Sequence, residues 1–337
     1  MRVREVVILL RIGLIDVDGH NYPNLPLMKI SAWHRQQGDT VEWYQPLFHS
    51  MGEPLDIVYM SKVFGSEYTP DYPYYVNAKE IHKGGTGYAI RVENGKEVFD
   101  DSLHQNLPDE IEHIYPDYSL YPEYTKNTAY GFLTRGCCNN CSFCIVSKKE
   151  GICSHKVADL SEFWRGQKCI ELLDPNLLAC KDHMELLQQL VDSNAKINFS
   201  QGLDARFINE ENAELLKKIN ISMIHFAFDF MKFEKPIVRG LTIAKEVMQL
   251  SERATVYMLT NYDTTIEQDL YRLKKIKELG YTPDVRIYRK ETLPKPHILR
   301  DMQRWANSKL IYRSCEFMDY VPRADGKTIK QLYFDRE

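Results

Sequence analysis

The segment Arg135–Cys144, RGCCNNCSFC, places Cys137, Cys138, Cys141 and Cys144 within eight residues. Clustered thiols in a chain of this composition are metal ligands or catalytic groups more often than disulfides, because a reducing compartment keeps them as thiols. Cys137, Cys141 and Cys144 are spaced C-x3-C-x2-C. Three thiolates so placed can hold three irons of a 4Fe-4S cubane and leave the fourth iron open to a ligand that is not protein. Other metal chemistries use other members of the set. A bacterial ferredoxin loop would take Cys138, Cys141 and Cys144, but its fourth cysteine would fall at Lys148. Zinc could recruit Cys138, Cys141, Cys144 and Cys153, although structural zinc sites usually show two separated pairs.

The stretch Thr134–Cys144, TRGCCNNCSFC, resembles the signature loop of radical S-adenosylmethionine enzymes. It is most similar to the branch that includes tRNA methylthiotransferases and cobalamin-dependent members. The resemblance covers roughly residues 130–290. It implies that Cys137, Cys141 and Cys144 are the metal ligands and catalytic centre, that the open iron chelates S-adenosylmethionine, and that reduction releases a 5'-deoxyadenosyl radical. Phe143 would lie against the adenine, and Cys138 stands where the family often has proline. A small electron donor such as flavodoxin or ferredoxin is implied as a partner, and the substrate is not. Two other functions compete: cobalamin-dependent methyl transfer, and a non-catalytic protein that keeps the cluster as a structural or redox-sensing element.

Further polar residues follow apolar runs at places where packing does not explain them. Asp174 and Asn176 follow CIELLD, where the family holds the amino group of S-adenosylmethionine, although its usual Gly-Gly-Glu is absent. Gln201, Gly202, Asp204 and Arg206 follow KINFSQ; Arg206 either grips a carboxylate bidentately or pairs with Asp204. Asp229 and Asn261 follow the next two runs and suit ribose hydroxyls or substrate. Asp263 suits the same role or a helix N-cap. His225 lies inside a run and reads as a satisfied interior histidine.

These residues need a scaffold that brings loops to one edge. Six strand-like runs, AYGFLT, CIELLD, KINFSQ, SMIHFAF, TVYMLT and DVRIYR, alternate with helical stretches such as 184–191, 210–219 and 266–279. The last opens with Thr264 and Glu267 spaced as a capping box and stops at Gly280. The expected fold is α/β: a partial (βα)6 barrel of the TIM type over residues 125–290, with chemistry at the carboxyl ends of its strands. Residues 291–337 form a helical extension, where Ile298, Met302 and Trp305 make a core stripe and Arg300 and Arg304 share another face.

Before the barrel, residues 1–115 read as a Rossmann-like parallel sheet: RIGLIDVD, TVEWY, DIVYMSKVF and EIHKGG as strands, and LPLMKISAWHRQQG as a helix ending at Gly38. DGHNYP falls where cobalamin-binding domains carry D-x-H-x-x-G, with His20 at the axial-ligand position and Asp18 placed to orient it. Ser61, Lys62 and Val63, then Gly84 and Gly85, resemble that family's later elements. Pro23 replaces the glycine and the intervals are short, so the domain is expected to keep the fold without binding cobalamin in the conventional mode.

Hydrophobic content of 44% with 27% charged residues describes a globular chain and excludes a disordered one. No apolar run approaches the roughly 20 residues of a membrane span, so a cytoplasmic location is expected. A net charge of -4 gives no footprint for bulk nucleic-acid binding. Cys153, Cys169, Cys180 and Cys315 are scattered and read as small buried apolar residues.

Overall fold

Strand β1 (Arg11–Asp16) is buried at five successive residues from Ile12 to Asp16, the pattern of a parallel strand covered on both faces. A computed structural model, which describes residues 9–19, 21–93, 96–250 and 254–335, accounts for it. Between β2 (Thr40–Trp43) and β3 (Leu55–Ser61), β1 is an inner strand, and β4 (Ala78–Gly84) completes a parallel sheet of order β2-β1-β3-β4. Helix Leu25–Gln37 crosses from β1 to β2. Asn24 caps its start by accepting from Leu27 N–H, and Gly38 ends it at φ 90°, a left-handed conformation that glycine adopts without strain. Leu27 and Ile30 pack with Ile12, Leu14, Val41 and Ile111, so burial of one helix face holds the helix on the sheet.

An antiparallel hairpin, β5 (Ile90–Glu93) with β6 (Lys96–Phe99), follows. Strand β7 (Thr128–Gly131) then begins a second parallel sheet. Directly after it, β8 (Thr134–Arg135) and β9 (His155–Lys156) form a two-residue antiparallel ribbon, and β10 (Cys169–Leu172) pairs parallel with β7. The remaining strands are β11 (Lys196–Phe199), β12 (Asn220–Ala227), β13 (Ala254–Thr260) and β14 (Thr282–Ile287). The six strands of this sheet lie in chain order, with β7 and β14 at its edges. Helices His183–Ser193, Glu210–Lys218, Glu234–Met248 and Ile266–Glu278 connect the later strands, as parallel pairing requires. The chain is thus α/β. It divides into two compact units at Pro175/Asn176.

Two local expectations are corrected. The capping box of helix Ile266–Glu278 uses Thr265 and Gln268 instead of Thr264 and Glu267, so Asp263 is not its N-cap. Cys153 is exposed instead of buried, and of the four scattered cysteines only Cys180 is fully buried. Trp305, Met302 and Ile298 do form a buried stripe. Among the described residues no helix is long and apolar enough to cross a membrane.

Candidate functional site

The cysteine loop is pinned at both ends. The β8–β9 ribbon joins the residues just before it to those just after it. Gly136 sits at φ 82°, and a Cβ there would come within 2.2 Å of the Cys153 carbonyl oxygen, so only glycine lets the two ends approach this closely. Cys137 N–H donates to the Gly151 carbonyl at 3.2 Å. Glu150 accepts from the Arg135 guanidinium at 2.9 Å and from Gly136 N–H at 3.2 Å, with Lys149 Nζ also at 3.2 Å. Burial pushes the Glu150 carboxyl up, but Arg135 and Lys149 outweigh it and leave the group below its ordinary value. It is therefore ionised at neutral pH and ties the loop's exit to the end of β8.

Inside the loop, Cys144 N–H donates to the Cys141 carbonyl at 2.9 Å, closing a turn between two candidate ligands. Asn140 takes a left-handed φ of 43° and accepts from the Ser147 hydroxyl at 2.9 Å. Cys137, Cys141 and Cys144 are half-buried, as is Phe143, while Cys138 is exposed. Burial raises the Cys144 thiol, and Cys137 raises it further. Among the described residues, no three Cys, His, Asp or Glu side chains gather closely enough to hold a metal ion. The donor types fit an iron-sulfur cluster, three thiols on one pinned loop. Ligation would require the thiols to turn toward a common centre and lose their protons.

Asp174, beyond β10, ties the loop's entrance. Its carboxylate, 4% exposed, accepts from Leu133 N–H at 3.1 Å, from Thr134 N–H at 2.5 Å and from the Thr134 hydroxyl at 2.7 Å. Burial pushes its pKa up to about 6 against the pull of those donors. Because the folded value lies above the unfolded one, the group favours folding at low pH and loses that contribution as pH rises from about 4 through about 6. Isotope-edited infrared titration of the native protein should therefore show a carboxyl with a midpoint near 6 that Asp174→Asn removes. A midpoint below about 4 would mean that the donors outweigh burial.

In the second unit the polar residues past the strand ends are tied mainly to protein groups. Arg206 makes a two-pronged pair with Asp204, Nε at 2.9 Å and Nη2 at 2.7 Å, and lies over the Phe233 ring at 4.5 Å; of its two sequence readings this is the ion pair. Asn176 donates to Asp204 at 3.3 Å. Gln201 is exposed in the turn after β11. Asp229 accepts from Leu259 N–H at 2.9 Å, and burial raises its pKa. Asn261, at φ 61°, donates to the Tyr288 carbonyl at 2.8 Å. His225 bonds the Thr255 hydroxyl and stacks on Tyr257, so it is satisfied as expected, but it is half-buried instead of interior; partial burial lowers its pKa.

Sequence patterns do not single out the group that holds two of these strand ends together. Arg272 is fully buried, and its guanidinium donates to the carbonyls of Phe228, Asp229 and Leu259 and to the Asp269 carboxylate. In sequence it is one of several charges on an amphipathic helix.

The described residues compared with cobalamin domains bond to or pack on neighbouring protein groups. Asp18 accepts from Val63 N–H at 2.5 Å and Phe64 N–H at 3.4 Å. Ser61 accepts from Asn24 at 2.9 Å, and Lys62 is buried. A Cβ at Gly85 would meet the Lys62 carbonyl at 2.3 Å, so backbone lies directly against backbone there. His20 lies outside the described residues. Comparison with known family models and with curated proteins returns no match.

Proposed function

We propose that this chain is a radical S-adenosylmethionine enzyme that binds a 4Fe-4S cluster through Cys137, Cys141 and Cys144. The observation that carries the reading is the C-x3-C-x2-C loop, leaving the edge strand of a six-stranded parallel sheet and pinned at both ends. When bound, such a cluster would supply one electron to the sulfonium of S-adenosylmethionine, breaking its C5'–S bond to give methionine and a 5'-deoxyadenosyl radical.

The chain's own residues do the positioning. Glu150 ties the loop's exit to its entrance at Arg135 and Gly136, Asp174 holds the residues just before the loop, and the turn from Cys141 to Cys144 carries Phe143, which in this reading packs on the adenine. The six strands lie in the order a partial (βα)6 barrel needs, and the reading takes the sheet as one. Asn176, Gln201, Arg206, Asp229 and Asn261 then contribute to the surroundings of S-adenosylmethionine or substrate. For Arg206 this requires exchange of Asp204 for a ligand carboxylate. The thiols call for a reducing compartment, in keeping with a cytoplasmic location, and a flavodoxin or ferredoxin supplies the electron.

The test is anaerobic reconstitution with iron and sulfide, followed by dithionite and S-adenosylmethionine. 5'-Deoxyadenosine is expected as product, slowly in the absence of substrate. A reconstituted cluster that forms no 5'-deoxyadenosine, and whose paramagnetic resonance ignores S-adenosylmethionine, would move the protein to the structural or redox-sensing class. In the same preparation, hydroxocobalamin should leave no corrinoid band after gel filtration; stoichiometric retention would favour methyl transfer instead.

A further inference from the structure

Helix Ile298–Ala306 turns Ile298, Met302 and Trp305 inward, which leaves Arg300 and Arg304 on the wall of an open groove of about 850 Å³. Lys290, Lys295 and Arg323 line the same groove, and among the described residues Asp301 is the only carboxylate on it. That carboxylate is already engaged, accepting from Arg323 at 2.6 Å and from the Tyr333 hydroxyl at 2.7 Å. Three of the other four cations are held by neutral groups. Arg300 donates to the carbonyls of Lys290, Leu293 and Pro294 at 2.5, 3.0 and 3.2 Å. Arg304 donates to the Pro322 carbonyl at 3.2 Å, and Lys290 to the Gln303 side chain at 2.5 Å. Lys295 is exposed.

Carbonyl and amide oxygens orient a cation without cancelling its charge. Elsewhere in this unit Arg206, Arg272, Arg286 and Lys275 all have carboxylate partners. Four uncompensated cations in one concavity repel one another, and in a chain of net charge -4 they are not a sign of general basicity. A multiply charged anion would remove that repulsion. The lining is nearly free of apolar side chains, and the volume lies within the range of small-molecule sites, about 300–1,000 Å³. Guanidinium groups, fixed in plane by their carbonyl bonds, match phosphate oxygens.

We propose that this groove binds a small molecule bearing a diphosphate or a longer phosphate chain. The assignment stands on the groove alone and does not depend on the cluster. Full-length protein is titrated calorimetrically with pyrophosphate, with inorganic phosphate and with a mixed-sequence single-stranded oligonucleotide. Pyrophosphate is expected to bind more tightly than phosphate, with affinity falling as salt is added. Arg300→Gln combined with Arg304→Gln should weaken it by about tenfold or more. Since Arg300 also braces the preceding turn, Lys295→Gln serves as a second variant that disturbs no described hydrogen bond and should weaken binding by about threefold or more. Undetectable pyrophosphate binding, or affinity unchanged in both variants, overturns the proposal. Equal affinity for phosphate overturns the requirement for a phosphate chain. Oligonucleotide binding about 100-fold tighter than pyrophosphate, and lost in the same variants, would replace the small molecule with a nucleic-acid strand.

Discussion

Single replacement of Cys137, Cys141 or Cys144 by alanine is expected to abolish the reconstituted 4Fe-4S signal and lower 5'-deoxyadenosine formation by more than about 100-fold, while Cys138→Ala keeps both. The magnitude follows from what a ligand does. Outer partners of metal ligands are themselves worth about 10–100-fold, and a thiolate bonded directly to iron is worth more. The asymmetry between neighbours rests on placement. Cys137 is half-buried and has its N–H bonded to Gly151, whereas the Cys138 thiol is exposed and directed toward the Asn139 side chain at 3.6 Å. Iron content, sulfide content and paramagnetic resonance would be measured on each variant. If Cys138→Ala loses the cluster and Cys137→Ala keeps it, the ligand set is Cys138, Cys141 and Cys144 and the ferredoxin-like spacing applies.

Legibility in the sequence followed the length scale of each signal. Helix Leu25–Gln37 was readable because an Asn cap, an early proline and a terminal glycine bracket a periodic apolar face. The strands of the second sheet were readable as apolar runs, although their burial alternates: β13 is fully buried only at every second residue. The β8–β9 ribbon was not, since two residues per strand carry no periodicity, yet it is what closes the cysteine loop. Helix Glu234–Met248 gives a weak signal for a different reason. It contains Pro236 and Gly240, both poor helix formers, and a Cβ at Gly240 would meet the Ala205 carbonyl at 1.7 Å, so close packing dictates a residue that propensity disfavours.

The capping box shows a one-residue ambiguity. Thr264 and Thr265 are each followed three residues later by a residue able to reach back, Glu267 or Gln268. Tertiary structure decides between them, because the Thr264 hydroxyl is used by Asp269 at 2.6 Å, next to Arg272. The thiol cluster was legible in full as a spacing. The Asp204 partner of Arg206 was one of its two readings, but what Asp174 and Asp229 bond to was not legible, because both acquire their partners from distant backbone.

Arg272→Ala is expected to destabilise the protein by about 3–5 kcal/mol, a large share of the roughly 5–15 kcal/mol that holds a domain folded. The wild-type guanidinium joins the carbonyls of Phe228 and Asp229, beyond β12, to that of Leu259 near the end of β13, and it neutralises Asp269. Truncation strands those carbonyls and leaves Asp269, 1% exposed, as an unpaired buried carboxylate. Arg272→Lys should recover only part of the loss, since one ammonium cannot span both strand ends as the planar fork does. Replacing both partners, Arg272→Met with Asp269→Leu, should cost less than Arg272→Ala alone, because no uncompensated charge remains. The pH dependence has a definite sign. Burial already raises the Asp269 pKa against the pull of Thr264 and Arg272, and loss of Arg272 raises it further. A carboxyl raised in the folded state costs stability when ionised, so the deficit of Arg272→Ala relative to wild type should shrink as pH falls through that raised value and be full at higher pH. Urea unfolding at a series of pH values measures this directly. A deficit below about 1 kcal/mol at neutral pH, or one that grows on acidification, would show that Arg272 is not the clamp of these strand ends.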